Sequence, residues 1–190
     1  MAEFPFKASP KGESLDLEDA SDVPKKTGKR SISSRRKAIR DRLWPNVNED
    51  ALWLRTRSVG FTTIPRTLPI INRILDKEAG KGYPVSTTYL ALWCRVFDEG
   101  FVEIRNSRDL AHESGFGGPR AEATWKNRMR ILVELGLIDA KPGVQGDFQY
   151  VLMLNPLHVI AKRFSSNPGD FDYRSLLDRM SQVGAEDIPY

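Results

Sequence analysis

The sequence predicts a mostly α-helical protein of the α+β class with one small β-hairpin. Three observations lead to this fold class. In the first half of the chain, apolar residues recur every three to four positions, the spacing of a helix buried on one side. From residue 101 to residue 154 the order is strand, short helix, glycine turn, long helix and a glycine-bearing hairpin. Two further helical patterns follow residue 155.

Two helices are predicted ahead of the first strand. Thr67 can cap the first of them, and Gly80 can end it. The second is expected to begin at a cap formed by Ser86 or Thr87 and to end at Gly100. The apolar residues on its buried side are expected to be Tyr89, Leu90, Trp93, Val96 and Phe97.

The helix after the first strand is short and ends in glycines. Ser107 can cap it, and Leu110 and Phe116 can supply part of its buried side. Glycines that permit a sharp turn follow at positions 115, 117 and 118. Pro119 then suits the first position of a long helix, where its missing N–H would have no partner.

The long helix has one apolar side and one side that can contact a ligand. At 3.6 residues per turn, Trp125 and Met129 lie opposite Asn127 and Arg130. Arginine can donate two hydrogen bonds to guanine, and asparagine can pair with adenine. The candidate DNA-contacting residues of this helix are Arg120, Ala123, Thr124, Lys126, Asn127 and Arg130. The alternatives are an ordinary solvated helix face and a protein-binding module.

A β-hairpin is predicted after the long helix. A short apolar strand over residues 137–140 and the run FQYVLML flank a segment with two glycines and a proline. This composition indicates a loop longer than a two-residue turn. Lys141 and Gln145 are the candidate contacts to the DNA backbone, and a plain hairpin without contacts is the alternative.

This succession of motifs resembles the winged helix-turn-helix regulators of bacteria and of their plasmids, phages and integrative elements. The resemblance is carried by LAHESGF, a glycine turn, a basic helix ending in LVELGLI and the hairpin, about a third of the chain. It implies a fold in which the second helix enters the major groove of DNA. It also implies that helices near a terminus can form a homodimer. No particular operator follows from it.

The excess positive charge lies in one short basic segment. Residues 23–42 hold nine Lys and Arg against one Asp, whereas residues 1–22 hold two Lys against six Asp and Glu. Such a segment can neutralise phosphates and release their counterions. Ser34 can cap a helix over residues 35–43. The candidate DNA-contacting residues of the basic segment are Arg35, Arg36, Lys37 and Arg40. The alternatives are a solvated tail, an import signal and a protein-binding segment.

Four segments are predicted along the chain. Residues 1–22 form a disordered acidic tail, and residues 23–47 form a basic arm with a short helix. Residues 48–165 form a winged-helix DNA-binding domain with an N-terminal helical extension, and Asn155 caps a helix near its end. Residues 166–190 contain a short helix, which packs either on its own domain or on the partner of a homodimer.

The sequence offers little support for catalysis. It has two histidines and one cysteine, without metal-ligand spacing, so neither a metal nor a cofactor is expected. Cys94 lies beside an apolar residue and is expected to be buried. No signal peptide and no bilayer-spanning run is recognised, so a cytoplasmic, nucleoid-associated protein is expected.

The expected function is therefore sequence-specific binding of double-stranded DNA, as a transcriptional regulator. One alternative is a plasmid or phage replication-initiation factor that marks an origin with the same helix. The other is a non-catalytic adaptor subunit whose winged helix binds protein within a larger complex.

Overall fold

The computed structural model describes residues 32–185, which divide into two compact units. The smaller unit ends at Trp53, and the larger unit begins at Leu54. The predictions made for residues 1–31 and 186–190 lie outside the described residues.

The smaller unit contains helix α1 (Ile32–Leu43) and a 3-10 turn (Glu49–Ala51). The helix begins before Ser34, so this serine lies in the first turn and does not occupy the cap position. The predicted cap is therefore wrong, because serine fits the first turn of a helix as well as the position that precedes it.

Residues 54–185, the described part of the larger unit, form six helices and three strands. The helices are α2 (Leu68–Ala79), α3 (Ser86–Trp93), α4 (Ser107–Glu113), α5 (Ala121–Glu134), α6 (Pro156–Phe164) and α7 (Phe171–Val183). The strands are β1 (Phe101–Glu103), β2 (Ile138–Gly143) and β3 (Gly146–Met153). The predicted α+β class, mostly helical with a small hairpin, is confirmed for residues 32–185.

The three strands form one antiparallel sheet with β3 in its centre. Val151 of β3 lies between Val102 of β1 and Ala140 of β2. Val102 and Val151 are buried, whereas Phe101 and Tyr150 stack on the other face with ring centroids 6.2 Å apart. One face of the sheet therefore covers the core and the other is exposed.

The hairpin turn is tighter than predicted. Val144 and Gln145 alone connect β2 to β3, because Lys141 pairs with Tyr150 and Gly143 with Gly146. The expectation of a longer loop is therefore wrong. The pairing is irregular between Lys141 and Gly143, where the intervening proline has no N–H to donate.

The core is organised around the buried side of α5. Trp125 is 1% exposed, and its ring meets the ring of Phe148 edge to face at 5.9 Å. Met129 and Leu132 are fully buried beside it. The predicted buried side of this helix is confirmed, and Gly136 follows its end with a positive φ of 78°.

Helix α3 is shorter than predicted. It ends at Trp93, where Arg95 turns toward α4 and donates a hydrogen bond of 2.9 Å from Nε to Glu113. As a result, Phe97 is 79% exposed, and Cys94 is exposed as well. The predicted burial of both residues is wrong, because the turn ends the helical spacing on which it was based. The predicted burial of Leu90 is wrong as well, since this residue is 38% exposed.

Thr67 precedes α2 as predicted, but its side chain makes no capping hydrogen bond. Three other helix starts differ from prediction. Asp76 of α2 caps α3 from a distance, accepting hydrogen bonds from the N–H of Val85 (2.7 Å) and of Ser86 (2.9 Å). Asn106, not Ser107, caps α4. Helix α5 starts at Ala121, with its predicted first residue, a proline, in the preceding turn. Asn155 caps α6 as predicted, accepting from Leu157 N–H at 2.9 Å.

Helix α7 packs against α2 of the same chain. The helix predicted over Tyr173 to Met180 begins earlier, after a cap at Asp170, and extends to Val183. Asp172 accepts hydrogen bonds from Arg73 Nε at 2.7 Å and from Lys77 Nζ at 3.1 Å. These two cations lower the pKa of Asp172, with Arg73 the larger cause. A homodimer through this helix stays a prediction.

We expect Asp172→Asn to destabilise the protein by about 1 kcal/mol at neutral pH, the upper range for pairs with exposed cations. Folding lowers the pKa of Asp172, so the ionised carboxylate stabilises the folded protein. This contribution is fully present above the ordinary carboxyl pKa and is lost as pH falls through the pKa that Asp172 has in the folded state. Urea unfolding should therefore separate variant from wild type at pH 7, and the difference should shrink as pH falls below the ordinary carboxyl pKa. Asp178→Asn, on the exposed side of α7, is the control. A pH-independent difference would contradict the ion-pair explanation.

Candidate nucleic-acid interface

Helices α4 and α5 are joined by a glycine turn that presents α5 at the surface. Gly115 and Gly118 adopt positive φ values of 85° and 78°, a conformation that other residues rarely tolerate. Ser107, freed from the cap position, donates a hydrogen bond of 2.7 Å from Oγ to Glu122 of α5. The turn and this bond together fix the start of α5 against the start of α4.

The predicted reading side of α5 is accessible. Ala123 and Arg130 are exposed, as is Arg120 just before the helix. Half-buried positions on the same helix are Thr124, Lys126 and Asn127. Between residues 32 and 185, Arg120 and Arg130 form no ion pair with a carboxylate. These two guanidinium groups are therefore available to an external ligand.

Glu122 places a negative charge on this side of α5, which sequence reasoning missed. Its carboxylate lies 2.9 Å from Lys126 Nζ and 3.9 Å from Arg108 Nε. The pKa of Glu122 is lowered, first by the hydrogen bond from Ser107 and then by Lys126. The i, i+4 spacing from Glu122 to Lys126 was the available signal. Lys126 is therefore paired within the chain, unlike Arg130.

Arg128 is a buried cation that the sequence patterns did not single out. It is 7% exposed, and its guanidinium lies 5.1 Å from the ring centre of Tyr83 and 5.9 Å from that of Phe116. Its Nη2 donates to the carbonyl of Gly82 at 3.2 Å, and its Nε has no hydrogen-bond partner among residues 32–185. Arg128 therefore joins α5 to the loop between α2 and α3.

The hairpin carries the other two predicted contacts of the larger unit. Lys141 is exposed on β2, with its ammonium 3.4 Å from Asp139. Gln145 is exposed in the turn, and its N–H donates to Oε1 of Gln149 at 2.9 Å. A Cβ on Gly143 would clash with the same oxygen, so the glycine permits this close approach. Gln145 therefore has its backbone fixed and its side chain exposed.

The predicted contacts of the basic segment lie in the smaller unit and differ in their pairing. Arg35, Arg36 and Lys37 are exposed on α1, and the ammonium of Lys37 lies 3.8 Å from Glu49. Arg40 is half-buried, and its Nη2 lies 2.6 Å from Asp41 and 2.8 Å from Glu49. The two carboxylates raise the pKa of Arg40, with Asp41 the larger cause. Arg40 is thus a weaker candidate for phosphate than Arg35 or Arg36.

Residues 32–185 show neither a metal-binding cluster nor a membrane-spanning helix. In that part of the chain, no group of three or more His, Cys, Asp or Glu is placed to hold a metal ion. No helix there is both long and apolar enough to cross a bilayer. His112 is exposed on α4.

Comparison with protein-family models, curated proteins and solved structures finds no match to this chain. Its function is therefore inferred from the residues and their geometry.

We expect Arg128→Ala to destabilise the larger unit by about 2 to 5 kcal/mol, as for truncation of other large buried side chains. Arg128→Met should cost less than half as much, because it keeps the apolar stem and removes a buried charge that has no carboxylate partner among residues 32–185. Thermal and urea unfolding would measure both.

The matched control is Arg130→Ala, since Arg130 lies two residues away and is exposed. Its effect on stability should stay within about 0.5 kcal/mol. Equal losses of folding stability for Arg128→Ala and Arg130→Ala would contradict the orientation of α5 that buries one arginine and exposes the other.

Proposed function

We propose that the larger unit is a winged helix-turn-helix domain that binds double-stranded DNA sequence-specifically. The order α4, glycine turn, α5 and β2–β3 hairpin supports this, together with a third strand that pairs with β3. In this proposal α4 and α5 form the helix-turn-helix, α5 is the recognition helix and the hairpin is the wing.

The exposed side of α5 is the observation that carries the proposal. Arg130 can donate a bidentate pair of hydrogen bonds to guanine, and Asn127 can pair with adenine. Ala123 has no bulky side chain to hold the helix away from base edges. Arg120, just before the helix, is exposed and can donate hydrogen bonds to a phosphate oxygen. The chemistry for reading bases and for holding the backbone thus occurs on one side of one helix.

The remaining predicted contacts supply affinity that does not depend on sequence. Lys141 and Gln145 are exposed on the proposed wing, and Arg35 and Arg36 on α1. Phosphate contacts position a protein on the duplex but carry no base information directly. The biological role that we propose is transcriptional regulation, acting on nucleoid DNA in the cytoplasm.

We expect Asn127→Ala and Arg130→Ala each to weaken binding to the preferred site by about 1 to 3 kcal/mol, with much smaller losses on random DNA. The preferred site would first be selected from a random duplex pool with the wild-type protein. Titrations with labelled duplexes then give the two affinities. Arg174→Ala, an exposed arginine on α7, is the control. Equal losses on both duplexes would leave only a phosphate-binding role.

We expect Arg35→Gln combined with Arg36→Gln to weaken specific and non-specific binding by similar factors. The plot of log affinity against log salt should become shallower by roughly 0.9 for each phosphate that the variant no longer neutralises, thus by about 1.8 at most. Arg174→Gln combined with Arg179→Gln removes the same charge from α7 and should leave the slope unchanged. An unchanged slope for the Arg35 and Arg36 variant would remove these residues from the DNA-binding site.

Genome-wide footprinting of bound DNA would test the biological role. We expect bound sites upstream of promoters. Repeated bound sites within a replication origin would instead support a role in replication initiation and contradict the role in transcriptional regulation. Failure of the wild-type protein to bind DNA in a salt-sensitive manner would overturn the proposal and favour a protein-binding adaptor.

A further inference from the structure

A cavity of about 580 Å³ lies in the larger unit, outside the proposed DNA-reading surface. Four parts of the chain form its wall: the start of α2, the segment after α3, the junction of β3 with α6, and the end of α7. None of the residues that line it belongs to α4, to α5 or to the hairpin turn. The cavity is therefore a separate feature of the domain.

The cavity has an apolar interior and a partly charged mouth. Ile71, Val96 and Leu157, which line it, are at most 8% exposed. Arg66 and Asp98 also line it but are exposed, so they lie where the cavity opens to solvent. An apolar wall with a few polar groups is the usual composition of a small-molecule site, and the volume is in the usual range of about 300 to 1,000 Å³.

Phe97 is a second observation that indicates a ligand. Its side chain lines the cavity yet is 79% exposed, and it stacks on no other aromatic ring within residues 32–185. Aromatic side chains are common in the lining of small-molecule sites, and here the exposed ring extends the apolar wall of the cavity. Phe97 offers a ligand an aromatic surface that no described part of the chain covers.

The charged groups at the mouth define the chemistry of the ligand. Arg66 forms no ion pair with a carboxylate among residues 32–185, so its guanidinium can bind an acidic group in a forked geometry. Asp98 can accept a hydrogen bond from an N–H or O–H of the same ligand. We propose that this cavity binds a small, mainly apolar molecule that carries one acidic group, which pairs with Arg66.

Two matched dyes test the proposal on the full chain without DNA, so its outcome is independent of the proposed DNA-binding function. The first, 8-anilinonaphthalene-1-sulfonate, has an apolar aromatic ring system, one N–H and one negatively charged sulfonate. The second, N-phenyl-1-naphthylamine, has the same ring system without the sulfonate. Fluorescence titration should show saturable binding of one dye per chain, with the charged dye bound more tightly.

Two variants separate the charge from the apolar cavity. Arg66→Gln should lower the affinity for the charged dye about three- to tenfold and leave the affinity for the neutral dye unchanged. Val183→Trp fills the cavity from the last turn of α7 and should weaken both dyes by at least tenfold. Arg105→Gln removes an exposed arginine outside the cavity and should change neither. Unaltered melting temperatures would show that the variants fold. If Val183→Trp does not fold, the comparison of Arg66→Gln with wild type decides the proposal.

Three results would overturn the proposal. The first is absence of saturable binding of either dye. The second is binding of the charged dye that Arg66→Gln leaves unchanged, which would place the dye elsewhere on the surface. The third is binding at least tenfold tighter in a chain ending at Ala185, which would make residues 186–190 the occupant of the cavity instead of a small molecule.

Discussion

The burial of Trp125 fixes the rotation of α5 about its axis, and the proposed interface depends on that rotation. With Trp125, Met129 and Leu132 in the core, successive steps of about 100° turn Ala123 and Arg130 outward. A rotation of one residue step would bury part of the polar side, at a cost of several kcal/mol for an unpaired charge. The packing of one large aromatic ring therefore determines which side chains can reach a ligand.

Arg128 belongs to the same packing, although its charge suggests a surface role. Its position, three residues after Trp125, places it on the inner part of the helix, against Tyr83 and Phe116. Contact of a desolvated guanidinium with aromatic rings is worth about 2 kcal/mol, which offsets only part of the cost of burying the charge. Its contribution is therefore to orientation, because its hydrogen bond to Gly82 holds α5 in place against the loop between α2 and α3.

Local patterns in the sequence were sufficient to predict the elements and the exposed side of α5. The spacing of the apolar residues Trp125 and Met129 predicts which side of this helix is buried. Asn155 and Pro156 predict the start of α6. Two of the features that prediction missed depend on partners distant in the chain. Asp76 caps α3 from ten residues away, and Arg95, just after the end of the same helix, pairs with a glutamate eighteen residues later. No local pattern encodes such contacts.

In the candidate interface, the partners that prediction missed are partly local, namely Asp41 beside Arg40 and Glu122 one turn before Lys126. Arg40 and Lys126 were predicted as DNA contacts from residue type and position, but each is paired with a carboxylate of this chain. An ion pair within the chain weakens the binding of a cation to phosphate, because the existing pair must break before the cation can bind the phosphate. Arg130, which has no such pair among the described residues, thus differs from Lys126 although both lie on one side of α5.

The charge distribution separates affinity from specificity in the proposed function. Residues 43–190 carry no net charge, so long-range attraction to DNA must come mainly from the basic segment that precedes them. Within the larger unit, Glu122 adds a negative charge beside Lys126 and repels phosphate at short range. Stable binding by α5 then requires base contacts that compensate for this repulsion. A helix with this charge pattern discriminates between sequences better than one that carries only positive charge, because non-specific contacts alone hold it weakly.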